Sequence, residues 1–284
     1  MKQKEFEKKF VNKIIHGDCL KVMKEWPDNC VDLVVTSPPY GQLREYKGFV
    51  LDWKKTISRI CTLLTTGGVC VWICGDETIG GGESGLPLRQ ALQFQKEGLL
   101  IHDTMIYEKS GIPFPESTRY NQTWEYMFVF SKGKPKEINL IQQPTLLDSR
   151  KKSFGSSSSR QSDGTNLKHK YTTGKESRLR TNIWKYAVGF GHSALDLSSH
   201  SHPAIFPEQL ASDHIVSWSN NESIILDPLC GSGTTCVAAK TLGRRYIGID
   251  ISEEYCEISR MRIKGLKTGI SISQQKQGFK GLLG

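Results

Sequence analysis

A run of mostly β-branched apolar residues, Val31-Asp32-Leu33-Val34-Val35, leads directly into Thr36-Ser37-Pro38-Pro39-Tyr40. An apolar run bounded by turn residues reads as a buried strand of a parallel sheet. Two prolines cannot continue a ladder, so the strand is predicted to stop at Ser37. The prolines also strip the following backbone of donors. What remains at the strand's carboxyl end is a set of acceptors, the Ser37 hydroxyl and a carbonyl at Ser37 or Pro38, beside the flat ring of Tyr40. In open α/β sheets ligands bind at that end. Acceptors with one aromatic face suit a planar group bearing an amine. Taken alone, the tetrapeptide reads equally as a turn with Tyr40 covering the core.

A second stretch, about two hundred residues later, changes that balance. Glu222 to Leu226 reads as a strand and is followed by Asp227-Pro228-Leu229-Cys230-Gly231-Ser232-Gly233-Thr234-Thr235, a helix, a strand from Arg245 to Ile249, and Asp250. Glycines let a backbone approach a ligand closely, and an acid about 20 positions past them is placed to accept from ribose hydroxyls. Cys236 stands where a dinucleotide fingerprint has its third glycine, and no Gly-Lys-Ser/Thr follows. This argues against a dinucleotide and against a triphosphate loop. Asp227 would repel a pyrophosphate but attract a cation. S-adenosyl-L-methionine, with its ribose, ammonium and sulfonium, has that character.

The two stretches together resemble the amino-methylating DNA methyltransferases. Asp227-Pro-Leu-Cys-Gly-Ser-Gly-Thr-Thr resembles their cofactor motif. Thr36-Ser37-Pro38-Pro39-Tyr40 resembles their catalytic motif, in the Ser-Pro-Pro-Tyr form associated with cytosine N4; adenine N6 enzymes more usually carry Asp or Asn in place of Ser. The order of catalytic motif, basic segment, Phe206-Pro207 and cofactor loop resembles the permuted β arrangement of that family. The resemblance implies that Asp227, Gly231, Ser232, Gly233 and Thr234 line the methionine end of the cofactor, with Pro228 beside them. It implies that Asp250 holds the ribose with Ile251 adjacent, that Asp18 lies near the adenine, and that Phe206 and Pro207 close over the methionine. Ser37, Pro38 and Tyr40, with Pro39, would hold the target base.

The chemistry is consistent with those roles. A methyl group on a sulfonium is already activated, so alignment is the main requirement. An exocyclic amine is a poor nucleophile because its lone pair is conjugated into the ring. Acceptors at Ser37 and the Pro38 carbonyl can take its protons and turn the nitrogen toward tetrahedral geometry, while Tyr40 stacks on the base. In a duplex that amine is paired, so the base must be flipped out. Attack by nitrogen needs no cysteine nucleophile, and no Pro-Cys pair is present, which disfavours methylation at carbon 5. No metal is implied.

The elements that must position these residues alternate strand and helix. Strands are predicted at Asn12 to Gly17, Val31 to Ser37, Val69 to Cys74, Leu99 to Glu108 and Glu125 to Ser131. The last is read as a hairpin-like partner of its neighbour across the proline-containing stretch after Gly111. Helices are predicted at Cys19 to Trp26, Asp52 to Leu64 (ended by Thr65-Thr66-Gly67-Gly68), Leu86 to Lys96, Pro207 to about Trp218, Cys236 to Leu242 and Ser252 to Lys264. Gly80-Gly81-Gly82 is read as a flexible loop. The fold class is α/β: a Rossmann-like S-adenosylmethionine-dependent methyltransferase fold, a mainly parallel twisted sheet with helices on both faces, plus a basic target-recognition insertion. The expected division is a catalytic half at 1–136, a target-recognition segment at 137–195, a cofactor-binding half at 196–264 and a basic tail at 265–284.

The charge of +9 favours a polyanionic partner. From Asp148 to Lys185 there are ten Lys or Arg against three Asp or Glu. That segment reads either as a solvated insertion or as one that settles on phosphates. Arg150, Lys151, Lys152, Lys168, Lys170, Arg178 and Arg180 are its candidate DNA contacts, joined by Arg44 and Lys47 in the polar loop after Tyr40. The eight cysteines contain no Cys-x-x-Cys and sit mostly in apolar runs, so buried reduced thiols are expected. His192, His200 and His202 lack metal spacing and are read as loop or DNA-facing residues. With no signal peptide or membrane span expected, the protein is read as cytoplasmic. The leading function is a sequence-specific cytosine-N4 DNA methyltransferase using S-adenosyl-L-methionine in a restriction-modification system. Its partners would be double-stranded DNA and, functionally, a cognate restriction endonuclease, with no membrane and a monomeric or homodimeric state. An adenine-N6 enzyme is the nearest alternative, and a non-catalytic DNA-binding relative is the alternative of a different class.

Overall fold

The computed structural model describes residues 1–39, 50–111, 118–144, 156–170, 177–187 and 206–266. In chain order the elements begin with α1 (Gln3–Phe10), β1 (Lys13–His16), α2 (Cys19–Met23), β2 (Val31–Thr36), α3 (Trp53–Leu63) and β3 (Leu64–Cys74). Next come β4 (Thr78–Ile79), β5 (Gly82–Glu83), α4 (Leu86–Lys96), β6 (Leu100–Lys109) and β7 (Trp124–Ser131). Short strands follow: β8 (Gln142–Pro144), β9 (Ser156–Arg160), β10 (Asn166–Lys170), β11 (Ser177–Leu179) and β12 (Ile183–Tyr186). The chain closes with α5 (Glu208–Trp218), β13 (Ile224–Asp227), α6 (Thr234–Thr241), β14 (Arg245–Asp250) and α7 (Glu253–Lys264).

Eight strands form one sheet in the order β1-β14-β13-β2-β3-β7-β6-β12. β7 alone runs against its neighbours, pairing antiparallel with β3 and β6, and the remaining pairs are parallel. The sheet is therefore mainly parallel, and its central strands β13, β2 and β3 are buried on both faces, as unbroken apolar runs require. Alternate strand residues serve opposite faces. Val34, Cys70, Trp72, Phe128, Phe130, Leu226 and Ile247 join a cluster with Met23, Ile57, Ile60 and Phe94 from α2, α3 and α4. On the other face Thr235 of α6 donates to the Val35 carbonyl (3.1 Å), and His214 of α5 meets Met127.

Local chemistry explains the boundaries. Asp18 caps α2 by accepting from the Leu20 and Lys21 amides, Asp52 caps α3 through Lys55, and Ser252 caps α7 through Tyr255. β2 ends at Thr36, one residue before the predicted stop.

Several expectations require correction. Thr65 to Gly68 do not separate helix from strand, because β3 starts at Leu64 and carries both glycines within it. A side chain at Gly68 would lie 2.8 Å from the Thr65 carbonyl, so this bent start of the strand admits little else. Gly80 and Gly81 form the turn of the β4–β5 hairpin rather than a free loop, with φ of 60° and 85°. The helix α1 was not foreseen; its Phe6 is buried edge-on to Trp26 at 5.0 Å.

The chain divides into two compact units, Met1–Asn139 with Asn182–Gly284, and Leu140–Thr181. β12, inside the segment assigned to target recognition, is instead the edge strand of the large sheet, paired in parallel with β6. Short strands cannot be told from loop by pattern alone, which is why it was missed. The smaller unit contains two antiparallel pairs, β8 with β11 and β9 with β10. All eight cysteines are buried and free. Among the described residues no helix is long and apolar enough to cross a membrane.

Candidate active site and cofactor cleft

The carboxyl ends of β1, β14, β13 and β2 border one cleft in the larger unit. It encloses about 210 Å³ and is lined by Ser37 and Pro39 after β2, by Pro228 to Ser232 and Thr234 after β13, and by Asp250 to Ser252 after β14. Gly17 to Leu20 after β1, Val50 to Asp52 ahead of α3, Phe206 and Tyr255 complete it. Sequence positions 18, 37, 206, 231 and 250 thus meet on one wall system.

The glycine loop is held from below. Asp250 Oδ2 accepts from the Gly231 amide (2.8 Å) and its Oδ1 from the Ser252 amide (2.9 Å). Burial raises the Asp250 pKa, and those two amides and His16 oppose the rise. Ser259 of α7 donates to the Gly231 carbonyl (2.8 Å), and buried Arg262 donates to the Ser232 carbonyl (2.6 Å). Gly233 adopts φ +83°, where a Cβ would lie 2.7 Å from Ser259 Oγ. Gly233→Ala should therefore cost about 2–4 kcal/mol, adding left-handed strain to overlap with α7. Urea unfolding of the variant checks this; a loss below about 1 kcal/mol would mean that α7 yields.

Asp227 sits beneath this wall and does not line the cleft. It is fully buried and accepts from Thr36 Oγ1 (2.7 Å) and the Leu229 amide (3.2 Å). Burial pushes its pKa up to about 6, against the lowering effect of Thr36, Thr235 and Leu229. This carboxyl group ties the last residue of β2 to the loop that follows β13. Gly233 and Pro207 stand at helix starts, as the N-caps of α6 and α5, rather than on the cleft surface. Pro38 is likewise outside the lining, between two residues that belong to it.

Leu20, Leu51, Asp52 and Tyr255 line the cleft without having been singled out from sequence. Tyr255 could have been found, because the first turn of a helix that follows Asp250 returns toward the same loop. Leu51 and Asp52 had no such signal. Tyr40, Arg44, Lys47, Arg150, Lys151, Lys152, His192, His200 and His202 lie outside the described residues, as does the tail from residue 267. In the smaller unit Lys168 and Lys170 are on β10 and Arg178 is on β11, with Arg180 just after it. Lys168 and Arg178 are exposed. Among the described residues no group of three His, Cys, Asp or Glu is arranged to hold a metal ion.

The donor set of the cleft is a test of what it can take. Its lining includes the acidic residues Asp18, Asp52 and Asp250, the apolar or aromatic residues Leu20, Leu51, Ile251, Phe206 and Tyr255, and the glycine loop. No Lys, Arg or His is among these lining residues. Such a cleft disfavours phosphates and fits a cation carrying hydroxyls and a flat ring. S-adenosylmethionine meets that description.

The mainly parallel sheet, with a glycine loop after one strand and an acid ending the next, is the fold of S-adenosylmethionine-dependent methyltransferases. Residues 31–261 match the DNA methylase family that joins N6- and N4-methylating enzymes, and the chain belongs to that family. It is 47% identical over 249 residues to the orphan methyltransferase M.BamHII of Bacillus amyloliquefaciens, covering 85% of this chain and 92% of that protein. Among solved structures it resembles a DNA modification methylase from Thermus thermophilus complexed with S-adenosyl-L-methionine, with TM-score 0.58 and 23% identity over 92% of this chain and 99% of that one. It also resembles the PvuII cytosine-N4-specific DNA methyltransferase, with TM-score 0.64 and 18% identity over 93% of this chain and 88% of that one.

Proposed function

We propose that this DNA methyltransferase transfers a methyl group from S-adenosyl-L-methionine to the exocyclic N4 of a flipped-out cytosine within a specific DNA sequence. The observation that carries the reading is that Ser37 and Pro39 border the same cleft as Gly231, Ser232 and Asp250. Residues about two hundred positions apart are thereby close enough to hold a base against a cofactor. The cofactor supplies a methyl group already activated by its sulfonium. The protein's part is alignment: Asp250 takes the ribose hydroxyls, Asp18 lies toward the adenine, and the glycine loop holds the methionine end under Phe206. Ser37 and the Pro38 carbonyl accept the amine protons, which frees the nitrogen lone pair for attack. Ser rather than Asp or Asn at position 37 supports cytosine N4, and the PvuII enzyme, cytosine-N4-specific by its description, shares the fold.

The smaller unit supports a DNA partner. The register of its β9–β10 ribbon pairs Arg160 with Asn166 and Ser158 with Lys168, and these exposed side chains share one face. A two-stranded ribbon fits a major groove, and cations on it suit phosphates. Arg44, Lys47, Arg150, Lys151, Lys152, Lys170, Arg178 and Arg180 are proposed to add contacts. The proposed setting is restriction-modification, with a nuclease of the same specificity as a functional counterpart. The naming of M.BamHII as an orphan favours a second setting, in which no nuclease accompanies the enzyme.

Nucleoside mass spectrometry of DNA from bacteria expressing the chain tests this directly. The expected product is 4-methylcytosine. A 6-methyladenine signal would keep the enzyme class and reverse the base, and the absence of both marks would overturn the reading. Tyr40→Ala should lower turnover by about 5- to 150-fold, the worth of one stacked base, while leaving cofactor affinity unchanged. Unaltered turnover would remove Tyr40 from the base pocket.

A further inference from the structure

β3 runs beside β2 with Val35 opposite Val71 and Thr36 opposite Trp72, so it continues two residues beyond the end of β2, to Cys74. Adjacent strands lie about 4.8 Å apart. The chain leaving β3 therefore emerges next to Ser37 and Pro38, and within a few residues it forms the β4–β5 hairpin. β7 is antiparallel to both β3 and β6, so the connection from β6 to β7 opens on the same edge of the sheet.

The hairpin is braced far beyond what two two-residue strands require. Asp76 Oδ1 accepts from the Glu77 amide (2.9 Å) and from Ser84 Oγ (2.5 Å), and its Oδ2 accepts from the Gly85 amide (2.8 Å). The Ser84 amide donates to the Glu77 carbonyl (2.8 Å). From the β6–β7 connection Arg119 donates to Thr78 Oγ1 (3.2 Å) and to the Gly81 carbonyl (2.5 Å). What this framework holds out is Ile79, a β-branched apolar side chain that is 61% exposed just before the Gly80-Gly81 turn. Tyr120, next to Arg119, is fully exposed.

A rigid apolar tip beside the catalytic strand has a specific use if a base must leave a duplex. Apolar side chains enter base steps as wedges, offsetting lost stacking and keeping the extruded nucleotide from returning. The flanking Glu83, exposed on β5, gives this tip no cation for phosphates, so what it offers DNA is the apolar Ile79 side chain. We propose that Ile79, carried on the hairpin Thr78–Glu83, inserts into the DNA at the space left by the target base. Ile79 is then a positioning residue: it acts on the duplex while Ser37 to Tyr40 hold the base. This rests on the reading of the chain as a methyltransferase that flips its target.

The test uses the full chain and a duplex bearing its recognition sequence, obtained by sequencing the modified DNA. Ile79→Ala should lower kcat/KM on the paired duplex by about 10-fold or more and reduce the fluorescence gain of 2-aminopurine placed at the target. A mismatch opposite the target, which removes the pairing to be broken, should restore both to within about threefold of wild type. Ile79→Leu should retain the wild-type behaviour, and cofactor affinity should not move in either variant. Wild-type rates for Ile79→Ala on the paired duplex, or a defect that the mismatch does not relieve, would overturn the proposal. A wild-type chain that marks no DNA would overturn instead the functional reading on which it stands.

Discussion

Replacing Asp250 with alanine is expected to raise the dissociation constant for S-adenosylmethionine by about 100-fold or more. Hydrogen bonds to a charged group contribute about 1.5–3 kcal/mol each, and two ribose hydroxyls would lose such a partner. The same carboxylate accepts from the Gly231 and Ser252 amides, so its removal also leaves the loop and the start of α7 without an acceptor. Stability should fall as well, by about 1–3 kcal/mol for each stranded amide that water does not reach. Calorimetric titration separates the two effects when paired with urea unfolding. Asp250→Asn keeps one acceptor oxygen and should fall between wild type and alanine in affinity. A dissociation constant within about threefold of wild type for the alanine variant would make Asp250 a loop anchor and no ribose ligand.

Asp227 should govern how stability depends on pH. Its folded pKa of about 6 lies above the ordinary 3.8 because the carboxyl group is buried. The folded chain therefore binds more protons at this group than the unfolded chain between those two values. Stability from this group falls as pH rises from about 4 to about 6, and the difference is about 3 kcal/mol at neutral pH. Asp227→Asn cannot ionise and lacks that dependence. The stability of wild type relative to the Asn variant should consequently drop by about 2.4 kcal/mol between about pH 4 and pH 7, whatever the Asn side chain itself costs. Denaturation curves across that range measure this difference, and parallel pH profiles would show that Asp227 titrates normally. Thr36 Oγ1 and the Leu229 amide both donate to Asp227 Oδ1, an oxygen that Asn keeps, so the tie between β2 and the glycine loop should survive in the variant.

Local patterns carried most of this architecture. The helices α3, α4, α5 and α7 and the strands β6, β7 and β14 fall within one or two residues of positions read from periodicity, caps and turns. The Ser252 cap and the hairpin of β6 with β7 were also visible in this way. These features depend on neighbours in sequence, where side-chain spacing and capping chemistry act directly. The β4–β5 hairpin and β12 were missed because strands of two to four residues have too little pattern to be distinguished from loop. Arg119 braces the hairpin from a distant part of the sequence, and β12 takes its place by pairing with the edge of β6.

The same division holds for the site. Residue type and spacing around Ser37 and Gly231 were read as two chemical halves, an acceptor set for an amine and a loop for a hydroxylated cation, and the structure brings both to one cleft. Sequence could not place Leu51, Asp52 and Tyr255 in the cleft, nor withdraw Asp227 from it. Asp227 looks like a ligand in one dimension because it ends a strand beside glycines. In three dimensions Thr36 reaches it from the next strand and satisfies its carboxylate beneath the surface. Which polar group faces a cavity and which supports its wall depends on the side chains that pack from other strands, and that contact is made only when the sheet assembles.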